Sequence, residues 1–389
     1  MTKFKAFLKR VDWVNTAFLT LTPLIALVGT ALLVAFDAIH PATVVLAVVM
    51  ACLTGFAITG GYHRLFSHLT YEAKWPYRLF VLLFGAAAFE NSALSWSSDH
   101  RVHHKFVDTP QDPYNIRQGF WHAHIGWVMM KSGATHRHGN VADLQEDPFV
   151  MFQHRHYVKL GILFGFILPT VIAASWGDPL GGFFIAGFLR TVMNHHFTFS
   201  INSFAHLVGS QPYSDKDSSR DHWILALFTY GEGYHNYHHK FPTDYRNGIK
   251  AYHWDPTKWV IKAMERLGQT YNLREVPSET IIRARLKMDE KRLLDKITRA
   301  NARQNVPDET VTAARGRLEE AYLHFQQLRK EYSRVKTARI ESLSAAMSHK
   351  AEALRGDMAK ARARLQDAAS QWGTLCSRYG VRPTRLNFA

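Results

Sequence analysis

Four long apolar runs constrain this chain more than any other feature. Residues 14–36 and 41–61 carry no charged side chain. Residues 158–176 carry only Lys159, near their start, and residues 180–204 hold Arg190, Asn194, His195 and His196 in an otherwise apolar stretch. A helix needs about 20 apolar residues to cross a hydrocarbon core, so each run is long enough to span a membrane. The first run is too long for a signal-peptide core and is read as a retained span. The expected fold is an all-α integral membrane protein with four transmembrane helices.

Charge gives these spans a direction. The short links 37–40 and 177–179 contain no Lys or Arg, whereas Lys3, Lys5, Lys9 and Arg10 precede the first run and residues 62–157 and 205 onward are basic. The positive-inside rule then places both termini and the large middle loop in the cytoplasm. Two shorter apolar stretches, 77–89 and 120–130, suit helices lying in the interface, with Trp121 and Trp127 at headgroup level.

Two cysteines, Cys52 and Cys376, exclude a disulfide framework, a cysteine-ligated iron–sulfur cluster and a cysteine-rich zinc fold. The 22 histidines are the unusual count. Eight of them fall in three clusters: His63 and His68; His100, His103 and His104; and His235, His238 and His239. In H-x-x-H-H the i, i+3 and i+4 positions share one helical face, so three imidazoles are expected to point at one spot. His63 and His68 are five apart, about 140° around an ideal helix, and converge only if the helix bends or ends there. The adjacent Gly60–Gly61 pair offers such a bend.

An even number of spans separates the clusters, so all three face the cytoplasm, joined by His206 with Asn202 one turn before it. One transition metal takes about four to six ligands, so this set fits two metals better than one. His195 and His196 lie inside a span, but haem ligation is the weaker reading because no partner pair is evident. His122, His124, His136, His138, His154 and His156 are read as supporting or surface groups. A zinc protease is disfavoured, since H-E-x-x-H is absent. Two irons in a nitrogen-rich site beside a membrane point to dioxygen activation: an unactivated alkyl C–H bond is beyond any side-chain base.

These residues carry a resemblance. H-R-L-F-S-H (63–68), D-H-R-V-H-H-K (99–105) followed by D-P-Y-N (112–115), N-S-F-A-H (202–206) and G-Y-H-N-Y-H-H-K-F-P (233–242) resemble the membrane fatty acyl-CoA desaturases of the stearoyl-CoA delta-9 type, in a bacterial-like form. The resemblance covers about residues 10–270. It implies a di-iron site held by His63, His68, His100, His103, His104, His206, His235, His238 and His239, with Asn202 as a water-mediated ligand.

It also implies four spans under a cytosolic helical cap (62–157 and 205–272) and a bent tunnel for a long-chain acyl-CoA. Trp96 and Thr198 match residues flanking the bend, Asn91 one near the thioester, and Arg117 one of the groups that hold CoA phosphates. Ala47 and Ala51 fall at the tunnel's far end. The chain departs from the family pattern at Ser98 and Gln118, where basic residues are usual, and at Glu90, where an amide is usual. The first two leave a phospholipid-bound or carrier-bound acyl chain open as substrate.

The implied reaction introduces a cis double bond with dioxygen as co-substrate and two electrons. No H-P-G-G haem anchor is present, so the donor is expected to be external: a ferredoxin, a rubredoxin or a small b-type cytochrome with its NAD(P)H reductase. The expected location is a multi-pass position in a bacterial inner membrane. A hydroxylase using the same oxidant and a histidine-lined metal transporter are the competing readings. A transporter needs ligands near the midplane, and eight of these lie outside the runs.

Residues 273–389 form a different region. From 275 onward they hold 23 Lys and Arg against 14 Asp and Glu, net +9. Their Ala, Leu, Arg, Lys, Glu and Gln content favours helix. A helix is expected at 278–304, a break at 305–308 with Asp308 as cap, and one long helix at 309–374, giving a hairpin or coiled coil. Solvated appendage, self-association, donor docking and lipid contact are the readings for it. Nucleic-acid binding is not expected of a membrane-tethered chain.

Overall fold

The computed structural model describes residues 3–131, 138–300, 308–342 and 345–386. The chain divides into two compact units. One comprises residues 1–211 and 215–275, and the other residues 212–214 and 276–389.

Among the described residues of the first unit three helices are long and apolar enough to cross a membrane: Trp13–Ala35, Pro41–Ser67 and Pro148–Ala174. The first starts at an Asp12 cap, whose carboxylate accepts the Asn15 N–H at 3.0 Å. The second starts at Pro41 behind a His40 cap, as suits a residue without an N–H. Both the second and third exceed the expected ranges. The second continues past residue 61 to Ser67, and the third begins ten residues before 158. The added ends carry buried polar residues, among them Arg64 and Gln153, whose packing hydropathy cannot register. A further run of helix occupies 179–203, interrupted in composition by Arg190, Asn194, His195 and His196.

The spans show their apolar side chains outward. Val14, Leu27, Val34, Val45, Val48 and Val171 are all exposed. A surface of that kind is stable against lipid, not water. One buried carboxylate ties the two short links together. Asp178 accepts the Thr43 hydroxyl at 2.6 Å and the His40 N–H at 3.2 Å, so links 37–40 and 177–179 lie on the same side.

The core sits where the second helix meets Trp75–Ala86, Ala93–Phe106 and Pro148–Ala174, around Tyr62, Leu65, Phe66, Val81, Leu82, Leu94 and Val150. Gly61 permits the close approach. A Cβ there would stand 2.7 Å from Val81 Cβ. A two-stranded ribbon pairs Glu72 with Tyr271 and Ala73 with Thr270, drawing the chain after Pro256–Arg266 back to the end of the second helix.

The second unit contains Ser278–Ala300, Asp308–Ser342 and Ala345–Arg378. They pack around Leu286, Leu293, Ile297, Leu318, Phe325, Leu365, Trp372 and Cys376. The single helix expected at 309–374 is instead two. Val335 packs with Leu354 while Leu318 packs with Leu365, so they run antiparallel. Residues 317–355 contain neither Gly nor Pro, so nothing local announced the reversal. The break expected at 305–308 lies almost wholly outside the described residues, although a helix does start at Asp308.

Candidate metal centre

His63 and His68 come together through helix winding, not through a glycine bend. Residues Ala57–Ser67 wind as a π-helix. In that winding the N–H of residue i+5 meets the carbonyl of residue i, which stacks positions five apart. The His68 N–H reaches the His63 carbonyl at 3.1 Å, and the two rings lie 4.9 Å apart.

The H-x-x-H-H motifs also behave differently from expectation. Nitrogens of His63, His68, His100, His104 and His238 form one group, and those of His103, His206, His235 and His239 a second, each within 4.8 Å. Each motif sends its i and i+4 imidazoles to one group and its i+3 imidazole to the other. The 100° step of an α-helix separates i+3 from the line through i and i+4 enough to serve a neighbouring point. The short helix His235–Lys240 and the helix Ala93–Phe106 thus contribute to both groups.

The nitrogen geometry fits metal ligation. Nε2 atoms stand 2.9 Å apart between His63 and His238, 2.8 Å between His68 and His100, and 3.0 Å between His104 and His238. In the second group His206–His235 is 3.1 Å, His235–His239 3.0 Å and His103–His239 3.3 Å. Metal–nitrogen bonds of about 2.1 Å put adjacent ligand nitrogens about 3.0 Å apart.

The outer nitrogens decide which way the lone pairs face. His103 Nδ1 meets Asp112 at 2.8 Å, His206 Nδ1 meets Ser218 Oγ at 2.7 Å, and His63 Nδ1 lies 2.9 Å from Glu232. Ser218 spends its own proton on Asp108, so its oxygen accepts from His206. With Nδ1 donating outward, Nε2 presents a lone pair inward, where such pairs repel unless a cation sits between them.

Burial, reinforced by neighbouring imidazoles, holds His68, His100, His104, His206, His235, His238 and His239 below the ordinary histidine range, in the neutral form that binds metal.

Groups the sequence reading did not single out complete the shell. Arg64 is buried between Glu232 at 2.9 Å and Asp255 at 3.0 Å. Burial alone would raise the Glu232 carboxyl, but His63 and Arg64 hold it below its ordinary value. Asp112 sits in D-P-Y-N and Arg64 in H-R-L-F-S-H, the only signal either gave; Glu232 and Asp255 had none.

The remaining named positions are spread around the centre. Asn202 is half-buried in the last turn of Arg190–Ser203, four residues before His206. Trp96 stacks on His100 with ring centres 4.8 Å apart. Thr198 donates to Glu90 at 2.8 Å. Asn91 is exposed with φ +80°, and its N–H reaches the Tyr157 hydroxyl at 2.9 Å. Arg117 is exposed. Ser98 is buried and donates to Asn140 at 2.7 Å, filling the place of the usual basic residue with a neutral pair.

His195 is bonded to the Ala88 carbonyl at 2.8 Å and His196 to His124 at 3.0 Å, which leaves no haem-ligating pair between them. His138 and His154 bond Ser95 and Ser92, and His156 lies beside Phe152. His122 and these six stand apart from both groups, and His136 lies outside the described residues.

A family model described as fatty acid desaturase matches residues 39–273. The chain is 45% identical over 275 residues to a probable acyl-CoA desaturase of Schizosaccharomyces pombe, covering 70% of this chain and 57% of that protein. It is 44% identical over 249 residues to acyl-CoA desaturase 1 of Saccharomyces cerevisiae, covering 64% and 49%. It is 40% identical over 241 residues to stearoyl-CoA desaturase of Sus scrofa, covering 60% and 67%. It therefore spans about half the length of the two fungal relatives. With both histidine groups inside the matched region, the chain belongs to the fatty acid desaturase family.

Proposed function

We propose that this chain is a membrane di-iron desaturase that introduces a cis double bond, at delta-9, into a saturated long-chain acyl-CoA. The observation that carries this is the pair of imidazole groups whose ring nitrogens converge, one of five and one of four. Two irons held by these nine histidines, with Asn202 acting through water, would couple dioxygen reduction to removal of one hydrogen from each of two adjacent methylenes. Dioxygen, two external electrons and two protons balance that loss as two waters.

The protein's own contribution is placement. Trp96, stacked on His100, and Thr198, bonded to Glu90, form the wall that fixes which methylenes face the centre. Asn91 and Arg117 lie toward the thioester and its phosphates. Apolar burial of the chain supplies about 0.8 kcal/mol per methylene. The names of the relatives support acyl-CoA as substrate, whereas the neutral Ser98–Asn140 pair favours a less anionic head group.

We read 179–203 as a fourth span, which places both termini and both histidine groups on the cytoplasmic side. The link through Asp178 and the basic residues at the opposite ends support this. The electron donor lies outside residues 1–389, whose two cysteines, Cys52 and Cys376, cannot build a redox cluster. Residues 1–272 form the desaturase domain. Residues 273–389 are a helical extension open to self-association.

Expression in a host without its own unsaturated fatty acids tests the reading. A gain of cis-alkene, absent from His238→Ala, supports it, and bond position is read directly. A product heavier by one oxygen identifies a hydroxylase, and no dioxygen-dependent product overturns both. Supplying stearoyl-CoA or stearoyl phospholipid to membranes separates the head groups.

A further inference from the structure

Glu90 occupies the place where an amide is usual, and its surroundings dictate how an acid can serve there. It lies between the helices Trp75–Ala86 and Ala93–Phe106. Oε1 accepts from the Thr198 hydroxyl at 2.8 Å, and the carboxyl is also bonded by Trp96. Oε2 is buried and finds no hydrogen-bond partner among the described residues, and Asn194 Oδ1 is in the same condition. Both residues line one small cavity with Thr59, Thr198 and Tyr230. An ionised Glu90 leaves two buried acceptors, its own Oε2 and Asn194 Oδ1, without a donor. A proton on Oε2 turns one of them into a donor.

No cation among the described residues pairs with this carboxyl. Tyr62, Tyr157 and Tyr230 face it from the elements packed around it. From 179–203 come Arg190 and His195. Arg190 donates to the carbonyls of Ala87 at 2.8 Å, Gly165 at 2.9 Å and Ala186 at 3.2 Å, and His195 meets that of Ala88. Burial without a counter-charge is the condition that keeps a carboxyl protonated, and it pushes Glu90 up to about 8 even though Thr198 and Trp96 act the other way.

We propose that Glu90 is a positioning residue that works as a neutral acid, forming with Thr198 and Trp96 the wall that holds the acyl chain, so that its ionisation switches that wall off. This rests on the reading of Trp96 and Thr198 as lining the acyl passage. Ionisation places an uncompensated charge beside apolar substrate and leaves Oε2 a buried acceptor without a donor. Alkaline pH therefore weakens chain placement without touching the histidines.

The test uses the full chain in lipid nanodiscs. Infrared difference spectra across pH 6 to 10 follow the protonated-carboxyl band, comparing wild type with Glu90→Gln. Stearoyl-CoA conversion is measured over the same range. The expected result is a band present at pH 7, absent from E90Q and lost near pH 8. Conversion falls roughly tenfold from pH 7 to pH 9 in wild type and less than about twofold in E90Q.

Thr198→Val removes a donor to the carboxylate and moves the band's midpoint to higher pH, which decides the matter if E90Q does not fold. An ionised Glu90 at pH 7, or the same alkaline limb in E90Q, overturns the proposal. A chain with the band but no desaturation would overturn the enzymatic reading and leave the protonation state standing.

Discussion

His103 and His104 are neighbours in the chain, yet their imidazoles enter different nitrogen groups. His104 joins His68 and His238, while His103 joins His206, His235 and His239. Their rings are 5.5 Å apart and nearly perpendicular, at 84°. One peptide unit thus separates the two nitrogen groups, and both imidazoles project from the helix Ala93–Phe106.

That separation predicts distinct metal losses. His104→Ala and His103→Ala should each retain about one metal per chain where the parent holds two, and each should lose at least about 100-fold in activity. Metal analysis on purified protein, set beside turnover, checks this. Loss of both metals from either variant would mean the two groups act as one site.

The carboxylates behind the histidines should matter nearly as much as the ligands. Asp112→Asn and Glu232→Gln remove the acceptors facing His103 Nδ1 and His63 Nδ1. Each is expected to weaken metal affinity about 10–100-fold by freeing ring orientation and tautomer. Competition with a coloured chelator measures it, and unchanged affinity would reduce both carboxylates to structural groups.

Arg64 is fully buried and depends on Asp255 and Glu232 for its neutralisation. Asp255→Ala leaves that guanidinium with Glu232 as its remaining counter-charge and should destabilise the first unit by about 3 kcal/mol. Replacing Arg64 and Asp255 together with Leu and Ala should cost less than the sum of the single changes. Denaturant unfolding in detergent micelles reads both.

The second unit has its own core, centred on Trp372, which is 1% exposed. Trp372→Ala should lower its stability by about 3–5 kcal/mol. Limited proteolysis of the full chain should then cut within 276–389 first, leaving the spans intact. Equal cutting of both units would show that they do not unfold separately.

Hydrophobic run length and the distribution of Lys and Arg were enough to indicate membrane helices, because lipid imposes a length and forbids unpaired backbone on any sequence it accepts. The clusters of histidine likewise pointed to the residues whose ring nitrogens converge, since imidazoles repeated at short spacing are chemically conspicuous. Tertiary structure decided the rest. The π-helical winding that joins His63 to His68, the division of each H-x-x-H-H between two groups, and the burial of Arg64, Glu232 and Asp255 behind them depend on backbone winding and on contacts between segments more than 150 residues apart. The reversal before Ala345 was equally silent, because helix propensity is local while the pairing of Leu318 with Leu365 is not.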